Sequence, residues 1–138
     1  MAGECLAARV RLINRAITGM YDELLRPHGL RVSQMSILVA VTCRGLVKPT
    51  DLGRGLCLEK STLSRNVDRM VHMGWLEVAP GEDGRSQQLR ITAKGKRLLA
   101  KAAPAWRQAQ RKARAILGEQ GATAVHDIAQ MIPGSAFA

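Results

Sequence analysis

The chain has 138 residues, a formal net charge of +10 and only four aromatic residues, so we expect one domain with a core of aliphatic side chains. The longest apolar run is far shorter than a bilayer span and no secretory signal is visible, which excludes a membrane-spanning class and favours a cytoplasmic protein. Three cysteines without paired spacing argue against a disulfide scaffold and agree with a reducing cytoplasm.

Two helices are predicted in the first third of the chain. Residues 6–25 carry apolar side chains every three or four positions, which is typical of an amphipathic helix. This helix should end just before Pro27, because a proline pushes the residue before it out of helical geometry. Ser33 is then the expected cap of a second helix, from Gln34 to about Arg44, that is apolar nearly all round.

The segment from residue 51 to residue 74 predicts a helix, a tight turn and a second helix. The first helix, 51–58, should be capped by Thr50 or Asp51, and the second opens with hydroxyl residues suited to capping and closes on Gly74. One side of the second helix is apolar, at Leu63, Val67, Met70 and Val71. The other side carries short polar and forked cationic groups of the kind that read base edges and phosphates in a major groove: Ser61, Thr62, Ser64, Arg65, Asn66 and Arg69. Ser33, at the start of the second predicted helix, is a further candidate DNA-binding residue.

A two-stranded hairpin is predicted directly after these helices. Residues 75–79 and 87–92 alternate well enough to be strands, and they flank a glycine-containing loop at 81–85. Asp83 is placed to buttress that loop and to orient the guanidinium of Arg85, which can enter a narrow minor groove. The fold class is therefore mainly α with a small β-hairpin wing, a winged helix-turn-helix.

A long helix is predicted after the wing. Thr92 should cap it, and Pro104 should kink it or divide it in two. The pattern breaks between residues 118 and 123, and a last helix covers about 122–131. The apolar stripes of the first and last long helices have no evident partner in so small a core, so we expect an intertwined homodimer. A monomer whose terminal helices pack on each other is the alternative.

The positive charge is concentrated in one part of the chain. Residues 84–118 hold ten basic residues and no acidic one: Arg85, Arg90, Lys94, Lys96, Arg97, Lys101, Arg107, Arg111, Lys112 and Arg114. A basic block that starts at a wing tip suits a polyanion, because each phosphate contact releases condensed counterions. The other reading is a solvated helix face that only keeps the protein in solution.

Nothing in the sequence predicts an enzyme. The three histidines are scattered, and no nucleophile, base and acid stand in a suggestive order. Local spacing suited to a metal site is absent as well, so neither a metal nor another cofactor is expected.

The chain resembles the MarR family of bacterial transcriptional regulators over nearly its whole length. The resemblance is carried by residues 21–30, 33–38, 51–58, 61–66, 73–76, 82–85 and 89–95, in that order and spacing. It implies a single domain, 1–138, with a dimerisation region from both termini, 1–30 and 100–138, and a winged helix-turn-helix at 31–99. It also implies a homodimeric repressor or activator that binds palindromic operators in double-stranded DNA and releases them when a small ligand or an oxidant acts. The usual wing motif has a second arginine where this chain has Ser86.

The signal that such a regulator answers is open between two hypotheses. Apolar residues between the reading region and the terminal helices are expected to line a cleft for a small aromatic or amphipathic effector, unless they simply fill the core: Arg15, Met20, Tyr21, Met35, Leu38 and Trp106. The alternative is a thiol-based redox sensor that uses Cys5, with Arg9 one turn later to favour the thiolate. A peroxide-sensing branch of the family supports such a cysteine with tyrosines, of which this chain has Tyr21 alone. Cys43 and Cys57 are expected to be small buried hydrophobes.

Two further readings of a winged helix stay open at this point. One is a module that binds protein partners, although an interface of that kind would expose aromatic side chains on the second reading helix. The other is an architectural protein that binds DNA without sequence preference, which differs from a regulator in its specificity ratio.

Overall fold

The computed structural model describes residues 2–134, so Met1 and residues 135–138 of the expected dimerisation region lie outside the described residues. Its elements are α1 (Leu6–Leu25), α2 (Val32–Arg44), α3 (Pro49–Gly55), α4 (Lys60–His72), β1 (Leu76–Pro80), β2 (Gln87–Ile91) and α5 (Ala93–Met131), with short 3-10 turns at Ala2–Glu4 and Arg26–His28. The predicted class, mainly helical with one hairpin, is confirmed. None of the helices in this part of the chain has an apolar stretch sufficient to span a bilayer.

The start of α2 is held by side chains other than the predicted cap. Ser33 is the second residue of the helix, and Arg31 is the residue at its N-cap. The side chain of Gln34 accepts a hydrogen bond from the Arg31 backbone N–H at 3.0 Å, and Asp22 of α1 accepts one from the Val32 N–H at 2.7 Å. The expectation that Ser33 caps α2 was wrong, because these two acceptors already serve the backbone at its first turn.

The N-caps of α3 and α4, the two helices of the predicted helix-turn-helix, also differ from the prediction. Lys48 precedes α3 and Pro49 is its first residue, so neither Thr50 nor Asp51 is the cap. A proline suits that position because its fixed φ is helical and it lacks an N–H that would need a partner. Helix α4 begins at Lys60, which places the hydroxyl residues Ser61 and Thr62 in its first turn and leaves Ser61 exposed.

The turn between α3 and α4 depends on close contacts. Leu58 N–H donates to the Gly53 carbonyl at 3.0 Å, and a Cβ on Gly53 would lie 2.9 Å from Cδ2 of Leu63. The glycine therefore lets the two helices approach. Cys57 in this turn has a positive φ of 53° and an exposed side chain.

Two of the cysteine expectations were wrong. Cys57 is exposed in the turn just described, and Cys43 is exposed in the last turn of α2. The buried side of α2 is formed by other residues, ending with Val41. Apolar neighbours in sequence did not imply burial at either position.

The hairpin begins and is held as the alternation predicted. Gly74, with φ 74°, ends α4, and β1 pairs with β2 in antiparallel register, with Val78 opposite Leu89. Leu89 also exchanges two backbone hydrogen bonds with Val47, at 2.8 and 3.1 Å. The connection between α2 and α3 is thereby fixed to the second strand.

One aliphatic core holds α2, α3, α4, the hairpin and the start of α5 together. Its buried members are Leu25, Leu30, Met35, Ile37, Leu38, Val41, Val47, Leu52, Leu63, Met70, Trp75, Leu76, Leu89 and Ala102. Val67 and Val71 pack against it, so the predicted apolar side of α4 is confirmed. This core positions the opposite side of α4 towards solvent.

Helix α5 starts as predicted and breaks where the pattern between residues 118 and 123 predicted, but the expected kink at Pro104 is absent. Thr92 accepts a hydrogen bond from the Gly95 N–H at 3.0 Å, which confirms the cap. Helical dihedral angles continue through Pro104, and the break lies at Gly118, with φ 70° and ψ 166°. A glycine adopts this left-handed conformation without steric cost, so the chain changes direction there.

Candidate nucleic-acid interface

The solvent side of α4 is a narrow row of polar side chains. At 3.6 residues per turn, Ser61, Arg65, Asp68 and His72 follow one another along its middle, and all four are exposed. We call this row the outer face of α4. Arg69 and Ser64 are exposed on its two flanks, whereas Thr62 and Asn66 are half-buried.

Two members of the outer face escaped the sequence reading. Asp68 and His72 lie one and two turns beyond Arg65, and the same helical spacing that selected Arg65 could have found both. Asp68 matters chemically because a carboxylate repels phosphates but accepts a hydrogen bond from the amino group of cytosine in a major groove. It is therefore suited to select a base and unsuited to attract any duplex.

The wing loop is closed by the carboxylate of Asp83. Its Oδ1 accepts hydrogen bonds from the backbone N–H of Ser86 at 2.9 Å, from that of Arg85 at 3.0 Å, and from the Ser86 hydroxyl at 2.8 Å. These donors stabilise the ionised form and lower the pKa of Asp83 from 3.8 to about 2, the two backbone donors being the main cause. The loop is therefore fully buttressed at neutral pH.

Arg85 lies exposed in this loop and forms no ion pair with an acidic residue among residues 2–134. The structure describes no ion pair between Asp83 and Arg85, so Asp83 shapes the backbone of the loop and does not orient the guanidinium as expected. Ser86, at the position where the family pattern has a second arginine, instead donates to Asp83 and accepts from the Gly81 N–H at 2.7 Å through its carbonyl. The Ser86 side chain thus helps to close the loop that carries Arg85.

Most basic side chains of residues 84–118 form no ion pair in the described part of the chain. Within residues 2–134, Arg90 pairs with Glu77 at 2.5 Å, Arg114 pairs with Glu119 at 3.2 Å, and Lys94 donates to the Met73 carbonyl at 2.8 Å. The other seven basic residues of the block, Arg85 among them, are exposed and form none of these ion pairs.

The residues predicted to line an effector cleft are spread over two clusters. Met35 and Leu38 are buried in the main core, while Tyr21 is buried against α5 with Met20 beside it. Arg15 is exposed on α1 and Trp106 is exposed on α5. Tyr21 donates a hydrogen bond to the side chain of Gln110, and its burial raises the pKa of its hydroxyl.

Cys5 lies at the N-cap of α1 and is exposed. The guanidinium of Arg9, expected to favour its thiolate, donates from Nε to the Gly3 carbonyl at 3.1 Å and from Nη2 to the same oxygen. Tyr21 is 16 residues further along the chain, roughly 24 Å away on a straight helix. Within one chain, Tyr21 is therefore too far away to support the thiol.

Known proteins share both the sequence and the fold. Residues 28–86 match the model of the MarR family. The multiple antibiotic resistance protein MarR of Escherichia coli K12 is 26% identical over 91 residues, which cover 65% of this chain and 63% of MarR, so the match spans less than two thirds of that relative. A mutant MarR from E. coli complexed with operator DNA has the same fold, with a TM-score of 0.80, 19% identity and 89% of each chain covered.

A second solved structure is more similar in sequence. The transcriptional regulator MosR of M. tuberculosis, in complex with DNA, is 33% identical, with a TM-score of 0.80 and 93% of each chain covered. Because the match covers 93% of this chain, it extends over α3, α4, the hairpin and most of both terminal helices. The chain belongs to the MarR family of transcriptional regulators.

Proposed function

We propose that this protein is a sequence-specific regulator of transcription that binds double-stranded DNA in the bacterial cytoplasm. Helix α4 enters the major groove with its outer face, and Arg85 of the wing reaches the adjacent minor groove. The observation that carries the proposal is the outer face itself, where exposed Ser61 and Arg65 lie opposite the apolar side of α4 that packs on the core. The DNA complex of MosR, a relative that this chain matches over 93% of its length, supports the same use of the fold.

The functional unit in this proposal is a homodimer. Large apolar side chains are exposed on the first half of α1 and beyond Gly118 in α5, namely Leu6, Val10, Leu12, Ile13, Val125, Ile128 and Met131. A monomer rarely exposes so many together, and a second copy would cover them. Two copies related by a twofold axis present two α4 helices about 34 Å apart, the separation of half-sites in a palindromic operator.

A small aromatic or amphipathic ligand is the proposed signal for release, with repression as the resting state. Tyr21 lines a cleft of about 540 Å³ between α1 and the two segments of α5, together with Ile17, Ala113, Arg114 and His126. A mostly apolar site with a few polar groups suits a small aromatic or amphipathic ligand. Such a ligand releases DNA only if it binds more tightly to a dimer whose two α4 helices have the wrong separation.

Selection of bound fragments from random duplex DNA by the purified protein tests the proposal. We expect an inverted repeat with half-sites about one helical turn apart, and binding to it at least 1,000-fold tighter than to random duplex. Retention of all sequences alike would indicate an architectural protein, and retention of none a protein-interaction module. Aromatic acids should then release the selected site. If peroxide releases it instead and Cys5→Ser removes that response, control belongs to the thiol.

A further inference from the structure

A second polar surface adjoins α4 on the side of Arg69. It is a cleft of about 670 Å³ between the end of α1, the turn that follows it, the start of α2 and α4. Four of its nine lining residues are arginines, from three different parts of the chain: Asp22, Arg26, Gly29, Leu30, Arg31, Gln34, Arg65, Asn66 and Arg69. We call it the arginine cleft.

The positive charge of the arginine cleft is not neutralised within the chain. In the part of the chain that the structure describes, none of the four arginines forms an ion pair. The one carboxylate in the lining, Asp22, accepts the Val32 N–H at 2.7 Å. Gln34, buried to 4% exposure, accepts the Arg31 N–H at 3.0 Å. Both acceptors thus fix the backbone at the start of α2 and leave the guanidinium groups open.

Four unpaired guanidinium groups around one concave surface suit an anion with several oxygens. A guanidinium binds a phosphate through two parallel hydrogen bonds, a geometry that lysine cannot reproduce. Arg65 and Arg69 belong to α4, and the two remaining arginines face them from the corner between α1 and α2. The ligand therefore has to lie against α4 and that corner at the same time.

We propose that the arginine cleft holds backbone phosphates of the DNA strand that borders the major groove, with Arg26 and Arg31 as its main contacts. This rests on the proposed function, since α4 in a groove about 12 Å wide brings that strand to its flank. Neither residue can reach a base edge while α4 occupies the groove, so both position the protein and leave sequence selection to α4. The end of α1, a helix of the proposed dimer interface, thereby contacts the same strand as the reading helix.

The test measures binding of the full-length protein to the selected operator and to random duplex at several salt concentrations. Arg26→Gln and Arg31→Gln should each weaken binding to both duplexes by roughly three- to tenfold at 0.15 M salt and reduce the slope of log K against log salt by about 1. The specificity ratio should not change. Arg44→Gln, at the exposed far end of α2, is the matched control and should bind as the wild type does.

The outcomes separate this inference from the proposed function. Wild-type affinity and salt slope in both variants, beside normal wild-type binding to the operator, overturn the phosphate contact and leave the regulator intact. A wild-type protein that binds no duplex overturns both. Pyrophosphate is the probe for a free anion: if it raises the melting temperature of the wild type but not of Arg31→Gln, and DNA binding is equal in the two, the cleft serves a soluble anion and not DNA. Circular dichroism of each variant confirms that it is folded.

Discussion

Between α2 and the start of α5, aliphatic side chains from every element share one core, whereas on the middle of α5 the buried residues that receive α1 are two alanines. In that second cluster the buried members are Tyr21, Ala109 and Ala113. Alanines let two helices approach closely but bury little apolar area, since the transfer free energy scales with area. The main core thus stabilises the reading unit, residues 31–99, together with Leu25, Leu30 and Ala102 at its borders, and the terminal helices have exposed apolar surface still to cover.

The largest effect is expected from a charged substitution in the exposed apolar surface of the terminal helices. Ile13→Asp would place a charge in the proposed dimer interface, at a cost of roughly 3–5 kcal/mol for each unpaired buried charge. We expect a monomer in sedimentation and no specific binding to the operator, although α4 is untouched.

Val39→Asp is the matched control for that change. Val39 is 43% exposed on α2 and Ile13 is 44% exposed on α1, so the two substitutions alter the single chain alike. Val39→Asp should remain dimeric. A wild-type protein that sediments as a monomer at micromolar concentration would contradict the idea that a second copy covers the apolar surface of the terminal helices.

The second effect comes from the reading unit. A Cβ on Gly95 would overlap the carbonyl oxygen of Trp75 and lie 2.7 Å from Cγ1 of Ile91. Gly95→Ala should therefore lower the free energy of unfolding by about 1–3 kcal/mol, as overpacking does. Thermal denaturation at one fixed protein concentration measures it, because the stability of a dimer depends on concentration.

Gly19→Ala is the counterpart in the terminal region. Gly19 lies in the middle of α1 with nothing within 4 Å of an added Cβ in the single chain. Alanine there should raise stability by about 0.5–1 kcal/mol through its better helix propensity. A loss instead of a gain would mean that the partner copy approaches the helix at this glycine.

Within the outer face of α4, the cationic and acidic residues should differ in kind. Arg65→Ala should cost about 1–3 kcal/mol on the operator and relax preference at one position in each half-site, whereas Arg69→Ala should weaken all sequences alike. Asp68→Ala should tighten binding to random duplex by roughly three- to tenfold, because it removes a negative charge that repels phosphates. Competition binding against random duplex measures all three. Equal losses for Arg65→Ala and Arg69→Ala would contradict the assignment.

The smallest effect concerns pH and the wing. Because the pKa of Asp83 is lowered from 3.8 to about 2, its contribution to the loop is complete above 3.8 and is lost as the pH falls from 3.8 through about 2. A carboxyl titration by NMR should therefore show Asp83 ionised at pH 3. Ser86→Ala, which removes one donor, should raise that pKa, while Ser64→Ala on α4 should leave it unchanged. An Asp83 that titrates at its ordinary value would contradict the closed loop.

The sequence predicted the helices and strands better than it predicted the hydrogen bonds that cap the helices. The bounds of α1, the cap at Thr92 and the glycine after α4 follow from local rules that the structure obeys. The predicted cap at Ser33 failed because Asp22, ten residues before its partner Val32, supplies the acceptor. A contact between two helices is not visible in the local pattern of either.

The site was predictable to a similar degree. Helical spacing identified Arg65 and Arg69 but was not applied to Asp68, which lies on the same side of α4. Asp83 was expected to buttress the wing loop and to orient the Arg85 guanidinium. It buttresses the loop through the backbone amides of Arg85 and Ser86, and the structure describes no ion pair between it and Arg85. The arginine cleft could not be foreseen, because it needs the turn after α1 to face α4 across the fold.

The hydrogen bonds at the base of the wing have a consequence for how a signal travels. Val47 and Leu89 exchange two backbone bonds, and Thr92 donates to the Gly74 carbonyl at 2.6 Å. These hydrogen bonds connect the hairpin both to the α2–α3 connection and to the end of α4. We therefore expect an effector to move each reading unit, hairpin included, as one rigid body. In hydrogen exchange, the amides of Val47 and Leu89 should then stay equally protected with and without effector, even when the DNA has been released.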